Sequence, residues 1–309
     1  MTLNLLTWRM DLIKQRVVRA VAGAAIASLT SVTLAMPMGP LALAQTGQAV
    51  SEASRLIERG LQAIQQGDLN GAIAAFQQAT QADPSSAAAF YNLGLALRQQ
   101  GQLQQSANAF YRATQADPAF AVAYANLGAA LLEGGQLDGA AAQLQEAIAL
   151  DNELGLAYYN LGLVYQAQGN LDAALTTLEQ AHQLSENAAE PAYYQGQIYL
   201  QQQQPDQAIV AFDQAIARRP DYPEAHYSRG LALYQQGQFS EALGAFRRAT
   251  QINPAYASAY YSAGLIFAQQ GQPDDARRVL TYAQTLFEAQ GLDEWATQTA
   301  QLLQDLPAQ

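Results

Sequence analysis

Side chains suited to acid–base or metal chemistry are sparse in this chain. His182 and His226 are its only histidines, and it contains no cysteine. Neither histidine stands in an H-x-x-x-H, H-E-x-x-H or serine-elbow context, so no metal pair or activated nucleophile is indicated. The carboxylate pairs Asp274-Asp275 and Asp293-Glu294 stand at predicted helix starts, where negative charge complements the helix dipole. We therefore expect no catalytic residue, no metal site, no cofactor and no enzyme activity.

The charge balance of the chain is acidic, with 26 Asp and Glu against 15 Lys and Arg and a formal net charge of −11. No lysine follows Lys14. A nucleic-acid partner requires clustered cations that release counterions from phosphates, so the composition argues against one. The absence of cysteine excludes disulfides and thiolate zinc sites but leaves the cellular compartment open.

Arginine is concentrated near the C-terminal end, at Arg218, Arg219, Arg229, Arg247, Arg248, Arg277 and Arg278. One interpretation is a solvated helix face, with Asp274 paired to Arg278 at i, i+4. The other is a docking patch for an acidic partner or a lipid headgroup.

The N-terminal residues have the pattern of a secretory signal, predicted over 1–44. The uncharged run 20–36 and the small-residue site Ala42-Leu43-Ala44 follow four basic residues, Arg9, Lys14, Arg16 and Arg19. Gln45 is then the predicted mature start, and 45–52 a polar linker. The alternative is an uncleaved membrane anchor, because the uncharged run lies at the short end for a span. Both predict that the rest of the chain lies outside the inner membrane, in the periplasm or an equivalent lumenal compartment.

A strict period organises the rest of the chain. Glycine recurs at every thirty-fourth position without insertion, at Gly60, Gly94, Gly128, Gly162, Gly196, Gly230 and Gly264. Two small residues follow each glycine at fixed offsets, as Ala174 and Ala181 follow Gly162. A large apolar residue stands between them, at Phe76, Phe110, Leu144, Leu178, Phe212, Phe246 and Leu280.

This small–large–small pattern resembles the tetratricopeptide repeat family, which is built from helix–turn–helix units of the same period. The resemblance covers seven repeats over residues 53–290. It implies an all-α fold, a right-handed α-solenoid of seven repeats. Residues 291–309 are predicted to form a C-terminal capping helix and tail, with Trp295 packed on the last repeat.

Helix-capping and helix-breaking residues predict the helix boundaries within the repeats. The second helices are expected to start at capping residues, namely Asn70, Asp138, Asp172, Asp206, Ser240 and Asp274. Gly169 is expected to take the left-handed turn of its repeat, whereas Gln203 replaces that glycine in repeat 5. Glu186 replaces the proline that closes other repeats. These departures predict altered packing at the junction of repeats 4 and 5.

The resemblance implies that the first helices line a concave surface. The residues assigned to this groove are Tyr91, Asn92, Leu95, Asn126, Tyr159, Asn160, Leu163, Tyr193, Gln197, Tyr227, Leu231 and Tyr261. Tyrosine supplies rigid contact area with a polar tip, and asparagine can bond a peptide N–H and C=O together. The family's carboxylate clamp of Lys and Asn is absent.

The sequence therefore predicts a non-catalytic protein–protein interaction scaffold of the bacterial cell envelope, such as an assembly factor. Its partner is expected to be a peptide or helix segment of another protein, neutral or mildly basic. The alternative is a carbohydrate-binding accessory of polysaccharide assembly or export. Membrane contact is expected only if the leader stays uncleaved, and nothing in the sequence indicates an obligate oligomer.

Overall fold

A computed structural model of the protein describes residues 51–307. The predicted leader at 1–44 and most of the predicted linker at 45–52 lie outside the described residues, as do residues 308 and 309. Among the described helices, none is both long enough and apolar enough to cross a membrane.

The described residues form fifteen α-helices and no strand. They are α1 Glu52–Gln65, α2 Leu69–Ala82, α3 Ala87–Gln99, α4 Leu103–Ala116, α5 Ala121–Glu133, α6 Leu137–Leu150, α7 Gly155–Ala167, α8 Leu171–Leu184, α9 Glu190–Gln201, α10 Pro205–Arg218, α11 Pro223–Gln235, α12 Phe239–Ile252, α13 Ala257–Gln269, α14 Pro273–Ala289 and α15 Asp293–Asp305. Consecutive pairs from α1/α2 to α13/α14 are repeats 1 to 7, and α15 follows them. The predicted all-α architecture and the seven repeats are confirmed.

The recurring glycine lets the two helices of a repeat approach closely. A Cβ added at Gly94 would lie 2.7 Å from Phe110 Cδ1, and one added at Gly162 would lie 2.7 Å from Leu178 Cγ. Both large side chains come from the second helix and are fully buried. The small and large residues of the sequence signature are therefore the two sides of one contact, and each repeat buries its core through it.

The turn between the two helices requires a left-handed residue. Glycine supplies it in six repeats, with φ between 69° and 80°, at Gly67, Gly101, Gly135, Gly169, Gly237 and Gly271. In repeat 5 Gln203 takes the same conformation, with φ of 59°. It is the one non-glycine residue with positive φ among the described residues. The turn prediction for Gly169 is confirmed, and Gln203 bears the steric cost of a side chain there.

The predicted N-caps of the second helices are wrong by two positions. Helix α2 begins at Leu69, and Asp68 caps it by accepting a hydrogen bond from Gly71 N at 2.8 Å. Asn70 is therefore the second helical residue, and the same shift applies to Asp138, Asp172, Asp206, Ser240 and Asp274. The physical reason is that an apolar residue or proline, which loses no helical hydrogen bond, already fills the first helical position.

Three of these residues bond the next repeat instead of their own backbone. Asn70 Oδ1 accepts from Gln100 Nε2 at 2.6 Å, and Asp138 Oδ1 accepts from Gln168 Nε2 at 3.1 Å. In repeat 5, Asp206 Oδ1 accepts from Gln236 Nε2 at 2.6 Å. Each bond links the start of a second helix to the end of the following first helix, so it helps to set how neighbouring repeats stack.

The chain divides into two compact units between Leu184 and Ser185. The N-terminal unit contains repeats 1 to 4, and the C-terminal unit contains repeats 5 to 7 and α15. The division falls at the segment where Glu186 replaces the closing proline.

Helix α15 covers the apolar end of repeat 7. The Trp295 ring stacks on Phe287 at a centroid distance of 5.5 Å and meets Tyr261 edge-on at 5.9 Å. Arg277 donates to the carbonyl oxygens of Leu306 and Pro307, which ties the end of the chain to α14. Trp295 thus packs on the last repeat as part of the C-terminal capping helix, as the sequence predicts.

Candidate functional site

The first helices of each unit lie on the inner side of the stack. First helices of successive repeats contact each other. In the N-terminal unit α1 contacts α3 and α5 contacts α7, and in the C-terminal unit α9 contacts α11. No comparable contact joins successive second helices of the described repeats. Each unit therefore presents its first helices as the face of tighter curvature, where the sequence places the groove.

The twelve predicted groove residues fall into two groups by exposure. Seven are half-buried at this face: Tyr91, Asn92, Leu95, Tyr193, Gln197, Tyr227 and Leu231. Five are buried: Asn126, Tyr159, Asn160, Leu163 and Tyr261. Leu163 has no exposed surface. In this state a partner can contact the seven half-buried residues directly.

The tyrosine row also joins helices together. The Tyr91 ring lies 5.7 Å from Phe110, on the second helix of its own repeat, and 5.0 Å from Phe120, at the start of the next repeat. Tyr193 makes the same two contacts with Phe212 at 5.9 Å and Tyr222 at 5.0 Å. The rings of Phe120 and Tyr222 were not predicted as part of this row, although an aromatic residue just before the next first helix is a visible signal in the sequence. Part of the aromatic row therefore serves stacking of the repeats.

Burial also keeps these hydroxyls protonated. Desolvation raises the pKa of Tyr91 to about 12, against the lowering effects of the Arg98 charge and the hydrogen bond from Asn126. Desolvation likewise raises the pKa of Tyr261 to about 12, with a further raising effect from Tyr227. At neutral pH both side chains are therefore neutral phenols.

The asparagine ladder of the N-terminal unit bonds its own helices. Asn92 Nδ2 donates to Ala88 O at 2.8 Å. Asn126 Nδ2 donates to Val122 O at 2.9 Å and to Tyr91 OH at 3.4 Å. The carbonyl acceptors fix which end of each amide is nitrogen, because a carbonyl cannot donate. At the half-buried Asn92 the amide oxygen is left as a hydrogen-bond acceptor on this face, whereas Asn126 is buried.

A second polar network crosses the C-terminal unit. Gln197 Nε2 lies 2.8 Å from Tyr193 OH and 2.9 Å from Ser228 Oγ of the next repeat. Tyr227 OH lies 3.5 Å from Ser262 Oγ, one repeat further on. These bonds hold the polar tips of the tyrosines in place, so the C-terminal face presents preorganised side chains.

The N-terminal unit contains a buried ion pair that joins repeats 2 and 3. Arg98, near the end of α3, donates from Nε to Glu133 Oε1 at 3.0 Å and also from its Nη2. The side chains are only 7% and 1% exposed, and Glu133 Oε2 is buried without a hydrogen-bond partner among the described residues. The signal in the sequence is an opposite charge at the end of the next first helix.

The C-terminal arginines do not all share one face, because Arg229 lies on the first helix α11 whereas Arg247, Arg248, Arg277 and Arg278 lie on second helices. Arg247 and Arg248 are exposed on α12, and Arg278 on α14 bonds Asp275 Oδ1 at 2.6 Å, the residue after the predicted partner Asp274. His226 Nε2 donates to Pro220 O at 2.9 Å, and burial is the main cause that lowers its pKa. Within residues 51–307 no group of three or more His, Cys, Asp or Glu side chains could hold a metal ion.

The paired helices and the first-helix face define a helical-repeat protein. Comparison with known families identifies the repeat family. Tetratricopeptide repeat models match residues 57–121, 193–257 and 232–290, a further one matches 153–221, and a TPR repeat model matches 130–169. These matches span more than half of the chain, so it belongs to the tetratricopeptide repeat family. No curated protein matches the chain significantly.

Solved structures give the same fold. YrrB, a TPR protein with an unusual peptide-binding site, is 26% identical with a TM-score of 0.52, over 63% of this chain and 99% of YrrB. A tetratricopeptide repeat protein from Parabacteroides merdae is 19% identical with a TM-score of 0.61, over 81% of this chain and 100% of its own. PilF of Pseudomonas aeruginosa is 20% identical with a TM-score of 0.58, over 66% of this chain and 92% of PilF. The latter two likenesses concern the fold alone.

Proposed function

We propose that this protein is a non-catalytic scaffold that binds a segment of another protein on the first-helix face of its repeats. The observation that carries the proposal is the half-buried set of Tyr91, Leu95, Tyr193, Tyr227 and Leu231 on that face. Rigid aromatic and aliphatic side chains with fixed polar tips are the surface that a peptide or helix segment can anchor on. The peptide-binding site of YrrB, at 26% identity, supports this class of partner.

We further propose that the scaffold works in the bacterial cell envelope. The support is the predicted leader at 1–44, with its basic residues, uncharged run and small-residue site. N-terminal sequencing of the protein from its native host should find Gln45 as the first residue. Met1 or Thr2 on a soluble cytoplasmic form would contradict the proposed location.

The binding face is tested by substituting two half-buried leucines. Both also pack against the core clusters of their repeats, so urea unfolding of each variant accompanies the binding measurement. Leu95→Gln in the N-terminal unit and Leu231→Gln in the C-terminal unit remove apolar surface while keeping a helix former of similar size. We expect at least one of them to weaken binding of a partner captured from envelope extract by about fivefold or more, since a lost anchor contact costs about 1 kcal/mol.

The matched control is Arg247→Ala with Arg248→Ala on the outer face. It should leave the affinity unchanged, and circular dichroism should be helical for every variant. If the arginine variant loses the partner while both leucine variants keep it, the outer face is the site and the proposal is wrong.

The carbohydrate-binding alternative draws on the same tyrosines and amides. A sugar needs an open ring face to stack on, yet the rings of Tyr91 and Tyr193 each pack against at least two others. The protein-binding proposal therefore has the stronger support. A glycan array that retains the protein, against a peptide array that does not, would reverse this preference.

A further inference from the structure

All the exposed leucines among the described residues belong to repeats 3 and 4. Leu150 is 39% exposed, Leu156 is 43% exposed and Leu184 is 37% exposed. Leu150 and Leu184 are the last residues of α6 and α8, and Leu156 lies in the first turn of α7, which contacts both of those helices. The three leucines therefore share the edge of the repeats where second helices end and first helices begin, and we call them the leucine edge.

The fold does not require leucine at these positions. Ala82 and Ala116 occupy the position of Leu150 in repeats 1 and 2, and Ala88 occupies that of Leu156 in repeat 2. Repeats thus form with alanine at this edge, whereas leucine leaves apolar surface in contact with water, which is unfavourable. Clustered apolar surface with a polar rim is typical of an interaction site.

The charge of repeats 3 and 4 has one sign. Residues 121–184 contain no lysine or arginine, one histidine, His182, and seven acidic residues. The seven are Glu133, Asp138, Glu146, Asp151, Glu153, Asp172 and Glu179. All are exposed except Glu133, which is paired with Arg98 of repeat 2. No cation within these two repeats balances the six exposed carboxylates.

Three of the exposed carboxylates border the leucine edge. Glu146 stands one helical turn before Leu150 on α6, so the two share a side of that helix. Asp151 and Glu153 stand in the short connection between Leu150 and Leu156. The apolar surface is therefore rimmed by negative charge.

The first arginines on either side of repeats 3 and 4 in the sequence each have a contact of their own. Arg112 of repeat 2 lies 5.4 Å from the centre of the Phe90 ring. Arg218 of repeat 5 donates to the carbonyl oxygens of Ser185 and Ala188, just beyond the leucine edge. The acidic stretch therefore ends at these two arginines.

We propose that the leucine edge binds an amphipathic segment of a partner protein, in which leucine-type side chains are flanked by lysine or arginine. The apolar side chains would cover the leucine edge, and the cations would face Glu146, Asp151 and Glu153. A second copy of this chain or an anionic membrane surface would instead bring like charges together, which is unfavourable. This surface includes none of the half-buried groove residues, so the inference goes beyond the proposed function.

The test uses three fluorescein-labelled peptides of equal length that share leucines at positions i, i+3, i+4 and i+7. The flanking positions are Lys, Gln or Glu. Fluorescence anisotropy with the full chain should show the Lys peptide binding at least about tenfold more tightly than the Glu peptide, because only its charge complements the rim. The preference should shrink as salt is added.

A triple variant locates the apolar part of the site. Leu150→Ala, Leu156→Ala and Leu184→Ala together introduce the residue that repeat 2 has at each position, so the fold should persist. They should weaken the Lys peptide by about tenfold or more, since anchor side chains are lost. The matched control is Val210→Ala, which removes exposed apolar surface from α10 where repeat 3 has Ala142, and it should change nothing.

A double variant locates the charged part. Glu146→Gln with Glu153→Gln should weaken the Lys peptide by about threefold or more, the effect of two exposed charge interactions. The matched control, Asp172→Asn with Glu241→Gln, removes two exposed charges near the starts of second helices, at the opposite edge of the repeats. It should leave the affinity unchanged, and urea unfolding of every variant shows whether the fold is kept.

Each outcome supports or overturns the inference. Equal binding of the three peptides overturns it, as does failure of all three to bind or an effect of Val210→Ala as large as that of the triple variant. If Leu95→Gln weakens the Lys peptide while the triple variant does not, the peptide binds the first-helix face, which overturns this inference and leaves the proposed function in place. A dimer in sedimentation velocity that the triple variant abolishes would show that a second copy covers the leucine edge, and would also overturn it.

Discussion

Repeats 2 and 5 make the same turn between their helices with different residues. Repeat 2 uses Gly101 at φ of 79°, whereas repeat 5 uses Gln203 at φ of 59°. Glycine adopts this conformation without steric cost, and a side chain does not. Both repeats nevertheless fold to the same helix pair around Phe110 and Phe212, which are fully buried. The core contact therefore determines the repeat, and the turn residue only adjusts its stability.

The segment that follows repeat 2 and the segment that precedes repeat 5 are also held by different kinds of hydrogen bond. After repeat 2, Asp117 Oδ1 accepts from Ala119 N at 3.0 Å, so the chain holds its own turn. Before repeat 5, Arg218 of α10 donates to the carbonyl oxygens of Ser185 and Ala188, the latter at 3.0 Å. The segment after repeat 2 depends on a local bond, and the segment before repeat 5 depends on a side chain from the far end of that repeat.

The largest expected effect tests what the two repeats share. Gly94→Leu and Gly196→Leu should each destabilise the protein by about 1–3 kcal/mol, because the added side chain overpacks the helix contact. A Cβ at these positions would lie 2.7 Å from Phe110 Cδ1 and 2.5 Å from Phe212 Cε1. Urea unfolding measures the loss.

The matched control is Gly244→Leu, since a Cβ there meets nothing within 4 Å. It should cost little or even stabilise the exposed helix position. A control as destabilising as the two core variants would show that the effect comes from leucine itself and not from the contact.

A smaller loss of stability is expected from removing the side chain that holds the segment before repeat 5. Arg218→Ala should destabilise the C-terminal unit by about 1.5 kcal/mol, because two carbonyl oxygens lose a charged donor. Hydrogen exchange should increase first at residues 185–190. Arg112→Ala, an exposed arginine of repeat 2 that lies 5.4 Å from the Phe90 ring, is the control and should leave exchange near residue 120 unchanged. Equal changes at both segments would contradict the distinction drawn between repeats 2 and 5.

The sequence predicted the repeats because one steric contact recurs in every unit at the same spacing, so Gly162 and Leu178 were both visible as a pattern. It misplaced the N-caps because an apolar residue or proline fills the first helical position, so Asp138 and Asp206 lie within their helices and bond side chains of the next repeat. The groove residues were assigned by family position alone. That assignment could not show that Leu163 is buried or that Asn126 Nδ2 donates a hydrogen bond to a carbonyl of its own helix.

The smallest effect concerns the turn residue itself. Gln203→Gly should stabilise repeat 5 by about 1 kcal/mol, the cost of holding a residue with a Cβ in the left-handed region. The reverse change, Gly101→Gln, should destabilise repeat 2 by a similar amount, because a Cβ there meets nothing within 4 Å and only the backbone conformation is affected. Thermal unfolding of the two single variants and of the double variant measures both. Since the sites lie in different repeats, the two shifts should add and nearly cancel. If Gln203→Gly instead destabilises the protein, the glutamine side chain makes a contact that outweighs its backbone strain, and the turn of repeat 5 is more than a tolerated departure.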